Sequence, residues 1–326
     1  MNKFKFYFIL LITTLSLFSC SKTDPVEITP PIAYAVQYPI DIAVIEDYLK
    51  ANHITVVNHP GVVDDQDVTI TKITDAATQP SLMSYLDAPA YPKLLFRIVK
   101  LHAIEYKLYY LVLREGVGGS PCNVDGVLTS YSGNYLQRSV ATGSDSSVSA
   151  TKFEELKYPQ SFFDLPSTIT GWGETFPQFK TGTYSANPDG TVAYNNFGAG
   201  VMFIPSGLAY YNRSTGSIPA YAPLVFSFKL YETSSLDQDK DGIPSLQEDL
   251  DGDRYVYYLA SGITNPDDTD KDGIPDFLDV DDDGDNYTTK LEIKNPATGL
   301  PYPFAAIPTC TSGKKIHLDG TATCHP

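Results

Sequence analysis

Residues 169–172 read Ile-Thr-Gly-Trp and residues 204–210 read Ile-Pro-Ser-Gly-Leu-Ala-Tyr. Trp172 is the single tryptophan of the chain, and it falls in 169–179, the only stretch with helical character inside a long β-rich region. Pro177 removes a backbone donor, so that helix is predicted to be short or distorted. Around it, residues 94–102, 106–114, 127–131, 162–165, 192–194, 201–204 and 224–230 are rich in β-branched and aromatic side chains and are divided by Gly- and Asn-containing loops. One short helix among many antiparallel strands predicts an α+β fold, a twisted antiparallel sheet wrapped around the helix. Upstream, Ile40, Ile42, Ala43, Ile45, Tyr48 and Leu49 have helical spacing within 39–52, with Asp41 as the cap. Residues 55–57 and 67–73 flank Pro60-Gly61 as a hairpin.

The chain has 326 residues, 42% hydrophobic, with 23 Tyr and 16 Phe, which is material for a core and for more than one structural unit. The formal charge is -16, and a surface that acidic repels phosphate backbones, so nucleic acid is not an expected partner. The charge is uneven. Of 39 acidic and 23 basic residues, 18 and 4 lie in 237–292, leaving a nearly neutral body with one acidic cassette.

Five blocks within 105–232 follow one order: Ser130-Tyr131-Ser132-Gly133, Lys152-Phe153-Glu154-Glu155, Ile169-Thr170-Gly171-Trp172, Ile204 through Tyr210 with Gly216-Ser217-Ile218-Pro219, and Leu224-Val225-Phe226. In order and approximate spacing this resembles the FKBP-type peptidyl-prolyl isomerases. The resemblance implies a shallow aromatic pocket with Trp172 as the floor under a proline ring. It also implies Tyr131, Phe153, Ile169, Tyr210, Ile218 and Phe226 around that floor, with Ile169 and Tyr210 in the place of groups that hydrogen-bond substrate carbonyls. Glu154 stands where the family usually has Asp, so the polar edge of the pocket differs. Residues 138–150 and 182–200 are insertions that delete no pocket position. The activity implied is rotation about X-Pro bonds in proline-containing polypeptides, with no nucleophile and no catalytic cofactor. The rival expectation is a non-catalytic surface protein whose groove holds proline motifs.

In the acidic cassette, Asp237, Asp239, Asp241, Gly242 and Glu248 fit D-x-D-x-D-G-x5-E, in which alternate carboxylates converge on a hard cation. Asp268, Asp270, Asp272, Gly273 and Asp279 repeat it 31 residues on, and Asp281, Asp283, Asp285 and Glu292 repeat the spacing 13 residues later with Asn286 at the glycine position. Calcium is the expected structural ion, because so many carboxylates repel one another unless a divalent ion bridges them. Pro244 and Pro275 stand where an EF-hand would approach its second helix, and the repeats resemble thrombospondin type-3 spacers instead.

At the start, Lys3 and Lys5 precede an apolar run over 6–18, too short for a spanning helix and read as an export signal. The residues before Cys20 resemble a bacterial lipobox, which implies acylation of Cys20 and a membrane tether. The expected location is the bacterial cell envelope, at the outer membrane, on either face. Cys310 and Cys324 are expected to close a disulfide loop, and Cys122 to be an unpaired loop thiol. The expected order is signal 1–19, tether 20–35, helix and hairpin 36–93, isomerase-like domain 94–232, calcium repeats 233–295 and tail 296–326.

Overall fold

A computed structural model describes residues 30–139, 147–188, 190–321 and 324; the expected signal segment and Cys20 lie outside them. Residues from Ala33 onward form one compact unit. The described chain is mixed helix and sheet, dominated by one curled antiparallel sheet. Its strands are β3 (Lys93–Leu101), β4 (Ile104–Arg114), β5 (Gly126–Ser139), β6 (Ser147–Leu156), β7 (Phe163–Asp164), β10 (Gly198–Ile204) and β11 (Leu224–Ser234). They run in the order β3-β4-β10-β11-β5-β6, with β7 also paired to β5. Two small ribbons stand apart: β1 (Asn52–Val56) with β2 (Val68–Lys72), and β8 (Thr183–Ala186) with β9 (Val192–Asn195).

Side-chain alternation sorts the sheet into two faces. On β4, Tyr106, Leu108, Tyr110 and Val112 enter one core while Tyr109, Leu111 and Leu113 enter the other. On β10, Met202 and Ile204 join the first, and Val201 and Phe203 the second. All seven residues of β10 are buried, which is why central strands read as continuous apolar runs. The first core is capped by α2 (Thr170–Thr175), continued by a 3-10 turn at Phe176–Gln178. Pro177 has no N–H to continue the α-helical ladder, consistent with the short helix read from sequence.

The second core is capped by α1 (Tyr34–Ala51), whose Gln37, Asp41, Val44, Ile45, Tyr48 and Leu49 form one buried stripe. This helix starts five residues before the sequence reading, with Pro39 inside it. Tertiary anchoring outweighs the single lost hydrogen bond: the Tyr34 ring stacks on His102 at 3.6 Å and on Tyr211 at 4.0 Å, and Lys107 N–H donates to the Tyr38 hydroxyl at 2.7 Å. Within the stretch read as an insertion at 138–150, the described residues extend β5 to Ser139 and start β6 at Ser147. These two strands pair from Tyr131 with Leu156 to Ser139 with Ser147, with a bulge at Gly133 and Asn134.

The acidic segment folds back on the body. Leu246 and Phe277 pack with Val256 against Cys122 and Val124. Two 3-10 turns, Ser245–Glu248 and Asp276–Leu278, and the single-turn α3 (Thr289–Glu292) replace the helices an EF-hand would need. Cys310 is bonded to Cys324, and Cys122 is free and fully buried.

Candidate active site and metal centres

Trp172 enters the first core from α2 and is 4% exposed. Four rings meet it edge-on: Tyr131 at 5.1 Å, Phe163 at 5.7 Å, Phe176 at 5.4 Å and Phe226 at 5.4 Å between centroids. Such T-shaped contacts set the positive edge of one ring on the negative face of another, which fixes geometry as well as burying area. Phe153, on edge strand β6, adds its ring edge-on to Phe226 at 5.6 Å. Ile218 is buried in the same cluster, and Tyr131, Phe153, Ile169 and Tyr210 are half-buried members that open it to the surface. Seven of the eight expected residues therefore belong to one hydrophobic core, with Tyr131 and Phe226 in direct ring contact with Trp172. Glu154 is exposed on β6 and accepts a hydrogen bond from the Tyr131 hydroxyl, with Tyr210 also within its field. Burial first, and Glu154 second, raises both phenols above the ordinary tyrosine range, so both stay neutral O–H groups.

The Ile169 carbonyl accepts the Trp172 N–H at 2.9 Å, and the Trp172 Nε1–H is buried with no acceptor among the described residues. Phe163 and Phe176 belong to the cage and escaped the sequence reading. Phe176 follows Trp172 by four residues, a spacing that places it on the same helical face, whereas the two-residue β7 carries no such signal. One hollow of about 630 Å³ lies around Val63, Tyr158, Tyr194 and Tyr231, and a polar one of about 400 Å³ around Lys152, Lys157 and Lys229 is also lined by Tyr131; Trp172 lines neither.

Two supports brace the site. Asp41 of α1 is 1% exposed and accepts from Ser206 N–H at 2.8 Å, Ser206 Oγ–H at 2.6 Å and Gln37 Nε2 at 2.7 Å, anchoring the segment that carries Tyr210. Burial raises its pKa despite these donors. On the opposite side Glu174, two residues beyond the indole, accepts from Arg97 Nε at 2.8 Å and from the Tyr257 hydroxyl at 2.9 Å. The Tyr255 hydroxyl donates to the Glu174 carbonyl at 2.9 Å, and the Arg97 guanidinium lies 3.4 Å from the centroid of the Tyr255 ring. The acidic segment is thus fastened to the helix that carries Trp172.

In the acidic segment, side-chain oxygens converge in four groups: Asp239, Asp241, Glu248 and Asp282; Asp249, Asp251 and Asp253; Asp268, Asp270 and Asp272; and Asp281, Asp283 and Asp285. Asp237 uses its oxygens to accept Lys240 N–H at 2.7 Å and Gly242 N–H at 3.1 Å and belongs to none of these groups; burial first, then Asp241 and Asp237, raises the pKa of Asp239. Asp279 and Glu292, expected as the last ligands of their runs, belong to none of these groups; burial first, then Asp272 and Asp270 for the one and Asp283, Asp285 and Asp281 for the other, raises their pKa. The 249–253 run and Asp282 were not read as ligands from sequence. Without a counter-ion, burial and neighbouring carboxylates push Glu248 up to about 11, Asp282 to about 10 and Glu292 to about 8. Orphaned carboxylate oxygens on hard-donor residues are what a divalent oxygen-seeking cation fits.

A family model described as BamM C-terminal matches residues 238–317. No curated protein matches the chain. Among solved structures it is similar to a peptidyl-prolyl cis-trans isomerase from Pseudomonas syringae, at 24% identity over 39% of this chain and 75% of that one, with a TM-score of 0.28. It is also similar to FkpA from Escherichia coli, at 22% identity over 45% and 54%, with a TM-score of 0.28. The structure of the three FKBP domains of wheat FKBP73 gives 17% identity over 43% and 50%, with a TM-score of 0.30. The chain thus spans about half of the latter two. Scores this low leave function to be argued from the chain's own residues.

Proposed function

We propose that the Trp172 cluster binds proline-containing polypeptides and catalyses rotation about their X-Pro bonds, in an envelope protein tethered through Cys20 and ordered at its acidic segment by calcium. The observation that carries the reading is the indole held edge-on by four rings, with Phe153, Ile169, Tyr210 and Ile218 in the same cluster. Rotation meets a barrier of about 18–20 kcal/mol because amide resonance is lost at the twisted geometry. The planar amide has the larger dipole and is better solvated by water. A dry aromatic surface removes that preference and so binds the twisted form better than the ground state.

The neutral Tyr210 hydroxyl supplies a donor at the rim for a substrate carbonyl, while the single Tyr131 proton is held by Glu154, which fixes that ring in place. A gain of about 5 kcal/mol from these effects gives a rate increase of nearly four powers of ten. Glu154 in place of Asp favours a second reading, a groove that binds proline motifs without turning them over.

A direct isomerisation assay on a proline tetrapeptide separates the two. Phe153→Ala and Trp172→Ala are expected to lower the rate in a folded protein. Rates unchanged by both would overturn the pocket assignment, and binding without acceleration would leave the second reading.

A further inference from the structure

We propose that Asp239, Asp241, Glu248 and Asp282 form a single calcium centre, a clasp that ties the first acidic run to the third. The proposal rests on the calcium reading above and adds a ligand, Asp282, that no repeat contains. One carboxylate oxygen from each of the four lies within 4.8 Å of one from every other. Burial separates this group from an ordinary gathering of surface acids. Glu248 is 3% exposed and Asp282 1%, and neither carboxylate is held by a backbone N–H or a cationic side chain among the described residues. The Thr289 hydroxyl accepts the Asp282 N–H at 3.2 Å and is the one hydroxyl that also stabilises the Asp282 carboxylate.

Asp239 Oδ1 accepts Asp241 N–H at 3.1 Å and Asp241 Oδ1 accepts Ile243 N–H at 2.7 Å, while the Oδ2 atom of each is buried and unpartnered. Four carboxylate oxygens gathered this closely, one from each residue, suffer desolvation and mutual repulsion together, and one divalent cation relieves both. An all-oxygen donor set excludes a thiolate- or imidazole-seeking metal, and four carboxylates, able to bind through one or both oxygens, suit calcium better than magnesium, which keeps its water. The sequence reason for Asp282 is alternation. Asp281, Asp283 and Asp285 converge on their own group, and the intervening residue faces the other way, toward Glu248. The ion therefore joins residues 239–248 to residue 282 and closes the acidic segment on itself.

The test uses the full chain stripped with EGTA and titrated with calcium chloride in a calorimeter. Asp282→Asn is expected to weaken one site about tenfold or more and leave the others, while Asp272→Asn weakens a different one. Melting supplies a second readout. In EGTA, Asp282→Asn removes a carboxyl whose burial among other carboxylates disfavours the fold and should melt above the parent; in calcium it removes a ligand and should melt below. A variant that titrates like the parent, or that melts lower in both conditions with affinities unchanged, overturns the clasp and leaves calcium binding by the repeats intact. A parent that takes up no calcium at millimolar concentration overturns both.

Discussion

A methyl group added at Gly133 would strike the candidate site without touching any of its side chains by substitution. Gly133 sits at the bulge of β5, opposite Glu154 on β6 and Phe226 on β11. A Cβ there would lie 2.5 Å from Phe153 Cζ, 2.8 Å from Phe153 Cε2 and 2.9 Å from Phe226 Cε1. Carbon atoms in contact rest about 3.5–4.0 Å apart, so the Phe153 ring must retreat by about 1 Å. Overpacking of this kind costs about 1–3 kcal/mol of stability. A displacement of about 1 Å at a reacting surface costs on the order of a hundredfold in rate.

Gly133→Ala is therefore expected to lower kcat/KM for a proline tetrapeptide about a hundredfold while the protein still unfolds cooperatively in urea. In a Phe153→Ala background the two shortest contacts are gone and only the 2.9 Å approach to Phe226 remains, so the second substitution should cost clearly less than it does in the parent. A full-rate Gly133→Ala, or losses that multiply in the double variant, would refute the placement of Phe153 at the site.

Glu174→Ala leaves Arg97 without its carboxylate; the pair is buried on the Glu174 side and a quarter exposed at Arg97. The expected loss is about 3 kcal/mol in urea unfolding, the low end for a broken buried pair, and an unchanged midpoint would show that the Tyr255 and Tyr257 contacts suffice. Asp41 has a folded-state pKa above its unfolded value. Its protonated form is therefore favoured by the fold, and the contribution is full below the ordinary carboxylate range and is lost as pH rises through the folded pKa. Asp41→Asn should flatten the fall in melting temperature on raising the pH from about 4 upward; an unchanged slope would exclude this linkage.

Most of the sheet was legible because alternation is a local property. The runs at 94–102, 106–114 and 224–230 emerge as β3, β4 and β11 within a few residues of their ends. Of the β5–β6 ribbon only 127–131 was legible; the rest was not, since Ser- and Gly-rich sequence has weak strand preference and is held here by pairing along β5. The early start of α1 depends on rings distant in sequence, Tyr34 against His102 and Tyr211, which no helical period reveals. At the candidate site the ordered blocks brought out the indole and its half-buried neighbours. The run at 162–165 was read as a strand, but in a strand of two residues alternation does not show that Phe163 takes the face toward Trp172. In the acidic segment the repeat spacing gave carboxylates within each run, whereas Asp282 crosses between runs and only the folded loop brings it to Glu248.

Everything said of catalysis reduces to whether the Trp172 surface speeds X-Pro rotation. The direct measurement is the cis-to-trans relaxation rate of a proline tetrapeptide with the full chain in calcium, beside Trp172→Ala and Phe153→Ala variants whose folding is checked by urea unfolding. Acceleration by the parent and its loss in both variants are the expected result. A folded parent that leaves the relaxation at its uncatalysed rate would contradict it.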